Sequence, residues 1–505
     1  MARDPQDALV ALNRFGFGAR GGASGDIVNA ASDPRGFVKA ELDRPNGALL
    51  DVPGLQPTTA LAQAMFDYQA EVKQQREAAA NMASAAPATT TAVASDMAGQ
   101  APPAAMAGAA PAAGVPTTMT PTPPDAPKPA SPPPLNVVQK TYRAEALARL
   151  QRATIADCGI TERLVAFWSN HFCISANKGE PARMWAGSFE REAIRPHVLG
   201  RFADMLKAVE QHPAMLFFLD NQQSIGPDSK AGQNRKRGLN ENLAREIMEL
   251  HTLGVGGGYT QDDVTALARI ITGWSFAGRE GRLGAPGSFI FNVNAHQPGV
   301  QQLLGRRYDD TGVAQGEAAL ADIARHPSTA KFIARKFAVH FVADDPPPAL
   351  LATLEAVFRK SDGDLRAMTL ALVDADEAWR QPLAKMRSPY DYVIATGRLL
   401  ARIPDNPNVH LGALNTLGQP LWTPAGPNGF ADGNAAWAAP EGMKLRLDIA
   451  AQVASKIGET IDARDLLDVA AGEAASPETR QTIARAETRQ QAMALLLMSP
   501  EFQRR

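Results

Sequence analysis

"NENLAREIMELHTLGVGGGYTQDD", Asn240 to Asp263, is the stretch on which the reading of the fold turns. At about 100° per residue, Leu239, Leu243, Ile247 and Leu250 fall in one narrow stripe with Leu253 beside it. This predicts an amphipathic helix from Asn240 to Leu253. Asn242, Glu246 and Glu249 cluster on one flank of the stripe, and His251 projects from the other. A metal-binding pair on one helix needs i,i+3 or i,i+4 spacing, so "EIMELH" is not a self-contained metal site. Glu241, Arg245 and Glu249 stand four residues apart, as in a surface ion-pair ladder. Glu246 sits nearest the apolar stripe, and a carboxylate there is either structurally paired or functional.

The turn that follows is equally readable. Gly254 fits the left-handed position that closes a helix, and Gly256 to Gly258 make an open loop. Thr260 then caps a second helix, with Asp263 completing a variant capping box. A glycine loop before a helix start can cradle an anion. Here no GK[ST] follows, no strand precedes, and acidic residues occupy the first turn.

Working outward, helical spacing or caps mark Pro5 to Phe15, Thr161 to Cys173, Pro181 to His197, Phe202 to Gln211, Thr260 to Trp274, Gln315 to Ala324, Ser328 to Phe341 and Pro347 to Lys360. Asp4 and Pro5 open the first of these, and Ser476-Pro-Glu opens another near the end. "SFIFNV" (Ser288 to Val293) and "QQLLGRRY" (Gln301 to Tyr308) read as strands of one small hairpin. The fold class is mainly α: a multi-helix globular domain with a small β-hairpin and a long Ala/Pro/Thr-rich insert. Residues 78–134 form that insert, with three charged residues (Asp96, Asp125, Lys128) and no aromatic side chain. Such a stretch cannot offset an ordering entropy of about 1–2 kcal/mol per residue, so it is expected to be disordered. Residues 1–77 and 135–505 then make one helical fold around it.

Composition limits the function classes. In 505 residues, 45% are hydrophobic and 21% charged, with a net charge of −2. That balance offers no electrostatic argument for nucleic acid or an anionic membrane. Two cysteines, Cys158 and Cys173, cannot build a disulfide framework. No window is apolar enough to span a bilayer, and the first residues lack a signal peptide's basic and apolar regions. A cytoplasmic location is the resulting expectation.

The histidines divide by context. In "ITERLVAFWSNHFCIS", Ile160, Leu164, Trp168 and His171 share a face, which points His171 into the core as a satisfied imidazole or a ready base. His296 ("NAHQPG") and His326 ("RHPST") lie in loops. His340 and His212 read as helical or structural.

"LNRFGFG", "FWSNHF", "HPAMLFFLDN", "GLNENLAREIMELHTLGVGGGYTQDDVTALARIITGW", "HQPG…LLGRRY", "HPSTAKFIARKFAVHFV", "SPYDYV" and "LGQPLWTPAGPNGF" occur together and in order. Their combination resembles the bacterial domain-of-unknown-function family 1800, across nearly the whole chain except the insert. The resemblance implies no established activity. It implies a partner: genes of this family often lie beside those of domain-of-unknown-function family 1501, which is similar to phosphatases and sulfatases and often exported. Export alongside a signal-bearing partner is the corresponding alternative to the cytoplasm. The family's blocks favour Asn170, His171, Asn240, Asn242, Arg245, Glu246, Glu249, His251, Tyr259, Trp274 and His296. Where the family often carries an acid after the "HQPG" histidine, this chain has Gln297, which weakens that position as a ligand or base.

His171, Glu246, Glu249, His251 and His296 are the candidate catalytic pocket, suited to acid–base work or to a divalent metal, which stays open as cofactor. Asn170, Asn242, Arg245, Tyr259, Trp274 and Trp422 are the candidate binding residues. Trp422 and Phe430 stand in a Pro/Gly-rich loop able to line a pocket or dock a partner. Two functions fit. One is an assembly or maturation partner of an exported phosphatase- or sulfatase-like protein, with an exposed apolar patch and its motif residues spent on internal hydrogen bonds. The other is a hydrolase-like α-helical enzyme whose His and Glu residues meet in one cavity.

Overall fold

The computed structural model describes residues 4–85, 134–233, 238–457 and 461–505. Contacts divide the chain into two units, Met1–Asp67 with Val137–Arg505, and Tyr68–Asn136. The first unit is mainly α, with two small antiparallel strand pairs. Its core gathers Phe15, Trp168, Trp185, Leu243, Trp274 and Phe337, all fully buried.

The chain enters this core at once. Asp4 accepts the Asp7 amide at 3.0 Å and Pro5 takes the first position of the helix Pro5–Leu9, which continues as a π-helix over Val10–Phe15. The following "GFG" has no ladder to satisfy its carbonyls, so buried arginines do it. Arg163 donates to Gly16 O, Arg387 to Phe17 O and Arg398 to Gly18 O, over 2.8–3.2 Å. Gly16 is obligatory, because a Cβ there would lie 2.0 Å from the Cys158 carbonyl oxygen.

The helix of the opening stretch differs from its wheel. It is α over Asn242–Glu246 and π over Ile247–His251. A π-turn bonds i to i+5 and rotates less per residue, so the faces drift from the α projection. Met248 and His251 are therefore buried beside Ile247, while Leu250 is only half-buried. Gly254 takes φ +80° as the closing residue, and Thr260 and Asp263 form the reciprocal capping box on Gln261–Ile270.

The strand expectation needs correction. "QQLLGRRY" closes on itself, Gln301–Leu303 pairing with Arg306–Tyr308. Leu304 (φ 50°) and Gly305 (φ 74°) supply the two left-handed residues that a two-residue hairpin turn requires. Phe289–Phe291 pairs instead with Trp274–Phe276, so the preceding helix stops at Ile270, short of the expected Trp274.

The helix Thr58–Ala85 also runs past the expected start of the insert at residue 78, as its alanines favour. The rest of the expected insert, 86–133, lies outside the described residues. In the second unit the helix continues from Tyr68, whose hydroxyl accepts from Asn136 Nδ2 at 3.2 Å.

Candidate functional site

The loop from Leu417 to Phe430 is held against the segment after the helix Ile160–His171. Ala176 N donates to Trp422 O (2.8 Å) and Ser175 Oγ to Pro424 O (2.9 Å). Asn170 clamps the far end: its Nδ2 donates to Phe430 O at 2.9 Å, and its Oδ1 accepts Phe430 N at 2.8 Å. Gly429 fits there only because it lacks a Cβ, which would sit 2.4 Å from Asn170 O. Trp422 adopts φ 51°, a conformation a bulky side chain rarely takes. Its Nε1 donates to Glu190 Oε2 at 3.2 Å, and its ring meets Tyr142 edge-on at 5.7 Å.

Between loop and helices lies a narrow cleft of about 80 Å³, partly open to solvent. Two buried charge networks reach its walls, one through Arg149 and the other through Asp391, Asp432 and Arg505. In one, Glu190 is shared by Arg149 (2.6 Å) and Arg195 (3.0 Å), and Arg195 also grips Glu162 at 2.8 Å. In the other, Asp391 lies 3.3 Å from Arg163 and 2.9 Å from Arg505, and Arg505 reaches Asp432 at 3.4 Å. Asp391 owes its place to Ser388, with which it forms the capping box of Pro389–Leu399.

His340, near the end of the helix Pro327–Phe341, joins the second network. Its Nδ1–H donates to Asp432 Oδ2 at 2.9 Å, and its Nε2 is buried with no hydrogen bond. Burial pushes the His340 imidazole down to about 4, against the pull of Asp432. Burial works to raise the Asp432 carboxyl, but His340, Lys385 and Arg505 outweigh it and hold it well below the usual carboxylate range. At neutral pH the result is a neutral imidazole, fixed in one tautomer by a carboxylate, with a buried, unbonded Nε2 on a residue that lines the cleft. Such an arrangement can take or return a proton. Cys173 also lines the cleft, but burial pushes its thiol up to about 12 and its Sγ contacts Pro427 O at 3.3 Å. It is a thiol rather than a nucleophilic thiolate at neutral pH.

Of the sequence candidates, Asn170 and Trp422 line this cleft. His171, Glu246, Glu249, His251 and His296 do not. His171 and His251 come together, ring centroids 6.2 Å apart. His171 Nε2–H donates to His251 O at 3.0 Å, and burial, aided by Lys336, holds His171 well below its ordinary pKa. His251 Nδ1–H donates to Glu210 Oε1 at 2.8 Å in a fully buried pair. Glu246 is half-buried and raised by that burial against the nearby His251. Glu249 lies 3.4 Å from Arg245, which also contacts Glu241 at 3.2 Å, so the predicted ladder is present. Partial burial and the nearby Glu249 carboxylate raise the Tyr259 hydroxyl, Asn242 is exposed, and Asn240 Nδ2 donates to Asp220 O at 3.2 Å.

His296 has surroundings of its own. Its Nδ1–H donates to Thr272 O at 2.9 Å, and its ring meets Phe291. Gln297 beside it holds Asp228, accepting the backbone amide and donating to the carboxylate. Trp274 is a fully buried core residue. Among the described residues no three His, Cys, Asp or Glu side chains gather as a metal-binding group.

Sequence reasoning passed over His340, Asp391, Asp432, Arg149 and Glu190. His340 and Asp391 fall within "HPSTAKFIARKFAVHFV" and "SPYDYV", two of the blocks behind the family resemblance, so a signal was present there. Asp432 lies just beyond the Pro/Gly loop and carried none.

An α-helical protein with a polar, charge-walled cleft is the class these features define. The family model described as "protein of unknown function (DUF1800)" matches residues 10–504, and the chain belongs to that family. No curated protein and no solved structure matches it. No helix among the described residues is long and apolar enough to cross a membrane.

Proposed function

We propose that the chain is an enzyme acting on a small molecule in the cleft beneath the Leu417-to-Phe430 loop, with His340 as general base and acid and Asp432 as the residue that positions it. The observation carrying this reading is the His340–Asp432 pair: both residues line the cleft, and His340 Nε2 is buried without a hydrogen bond. A hydrolytic reaction fits best, since a neutral imidazole oriented by a carboxylate activates water or a hydroxyl.

The test is a hydrolase screen against small esters, amides and phosphoesters, comparing the native protein with His340→Gln and Asp432→Asn. A native turnover reduced at least about 100-fold in His340→Gln, with the far-ultraviolet circular dichroism unchanged, supports the proposal. Turnover indifferent to His340 refutes it.

An assembly partner of an exported phosphatase- or sulfatase-like protein is the second reading. It draws support from the internal hydrogen bonds that occupy Asn170, Asn240 and Arg245. The expected apolar patch at the Pro/Gly loop finds no such support, because Trp422 is only 9% exposed.

A further inference from the structure

The two charge networks that reach the cleft are not balanced alike. One sets three cations, Arg163, Arg505 and Lys385, against three carboxylates, Asp391, Asp432 and Asp344, with Lys385 joined to the rest through Asp432 O. In the other, ion pairs join Arg149, Arg195 and Arg152 to Glu190 and Glu162 alone. Glu145 is already taken by Arg191. Three guanidinium groups against two carboxylates leave one positive charge in excess, where an unmatched charge is costly.

Arg149 is where this excess meets the cleft. It lines the cleft, whereas Arg195, Arg152, Glu190 and Glu162 do not, and it is otherwise buried. Its guanidinium is held from three directions. Nε donates to the Tyr390 hydroxyl at 3.3 Å, Nη1 lies 2.6 Å from Glu190 Oε2, and the Tyr390 and Trp422 rings lie 4.8 and 5.5 Å from its Cζ. Among the described residues Nη2 has no hydrogen bond, and it is not sealed from solvent.

Gln419, which also lines the cleft, carries a second oriented donor. Its Oε1 accepts Tyr390 N at 2.8 Å, so the Nε2 amide is left without a partner among the described residues. Tyr390 therefore sets both donors. One of them belongs to a guanidinium with a single excess positive charge, which suits a planar, singly charged carboxylate. A phosphate dianion would bring one charge too many. Asp391 and Asp432, lining the same cleft, repel an anionic group and leave His340 to the uncharged part of the ligand.

We propose that Arg149 recognises the carboxylate of a small, singly charged ligand in the cleft, which makes small carboxylate-bearing molecules the substrate class. The proposal rests on the cleft being the working site assigned to His340, and the two can fail separately.

The experiment is calorimetric titration of the full chain with propionate, with propionamide as its uncharged counterpart and with inorganic phosphate. The native protein is compared with Arg149→Gln, Arg149→Lys and His340→Gln. Saturable propionate binding is expected, at least about tenfold tighter than propionamide binding. That preference should vanish in Arg149→Gln and be partly kept in Arg149→Lys. A purely structural arginine would weaken both probes together and leave their ratio unchanged. Should Arg149→Gln fail to fold, the native protein and Arg149→Lys still decide the matter. Equal binding of propionate and propionamide, no saturable propionate binding, or a preference that survives in folded Arg149→Gln overturns the proposal. Phosphate bound more tightly than propionate overturns the carboxylate class. His340→Gln should keep the propionate preference while losing turnover, so binding reports on Arg149 and turnover on His340.

Discussion

The wall of the cleft and the outer face of the Asn242–His251 helix are both rich in charge, and they use it differently. On the helix face, Glu241, Arg245 and Glu249 form a ladder readable from four-residue spacing, with side chains 28–37% exposed. Around the cleft, Arg149, Glu190, Arg195 and Glu162 come from two distant stretches of sequence, with side chains no more than 7% exposed. Water screens the first set and is excluded from the second. A sequence neighbourhood crowded with polar residues therefore marks the weaker electrostatics of the two.

The largest expected effect breaks the cleft wall. Glu190→Ala leaves Arg149 and Arg195 short of a shared carboxylate and removes the acceptor of Trp422, and should cost about 3–5 kcal/mol in urea unfolding. A loss under about 1 kcal/mol would erase the distinction between the two regions.

Acid is a gentler probe. The buried imidazoles His171, His212 and His340 have folded pKa values below the ordinary 6.5, first through burial. The unfolded chain therefore binds more protons below that value. Their contribution is full above about 6.5 and is lost as pH falls toward 4, where His340 itself protonates. Asp391 and Asp432, depressed by their cationic neighbours, extend the loss below the ordinary carboxylate range. Thermal melts from pH 7 to 4 should fall by the equivalent of about 1–3 kcal/mol. A flat profile would mean that these histidines are solvated.

Gly429→Ala sharpens the comparison inside the cleft. A methyl 2.4 Å from Asn170 O, at φ 74°, should cost about 1–2 kcal/mol and loosen the loop, read as faster quenching of tryptophan fluorescence by acrylamide. Unchanged quenching would detach the loop from the Asn170 clamp.

The smallest effect belongs to the helix face. Arg245→Ala removes exposed pairs with Glu241 and Glu249 and should cost less than about 1 kcal/mol, diminishing further in added salt. A loss above about 2 kcal/mol would give that face a role beyond solvation.

The sequence by itself determined the mainly helical class, the Asp4, Thr260 and Ser476 caps and the left-handed Gly254, because caps and turns are local interactions between residues a few positions apart. It also placed the Glu241–Arg245–Glu249 ladder, for the same reason. The π-turn at Ile247–His251 was hidden: it ends on His251, whose buried partner Glu210 lies on a different helix. Tertiary structure alone paired "SFIFNV" with Trp274–Phe276 and brought His340 to Asp432 across 92 positions. Burial far from any local pattern left His340 neutral, and desolvation of that kind exists only once the chain has packed.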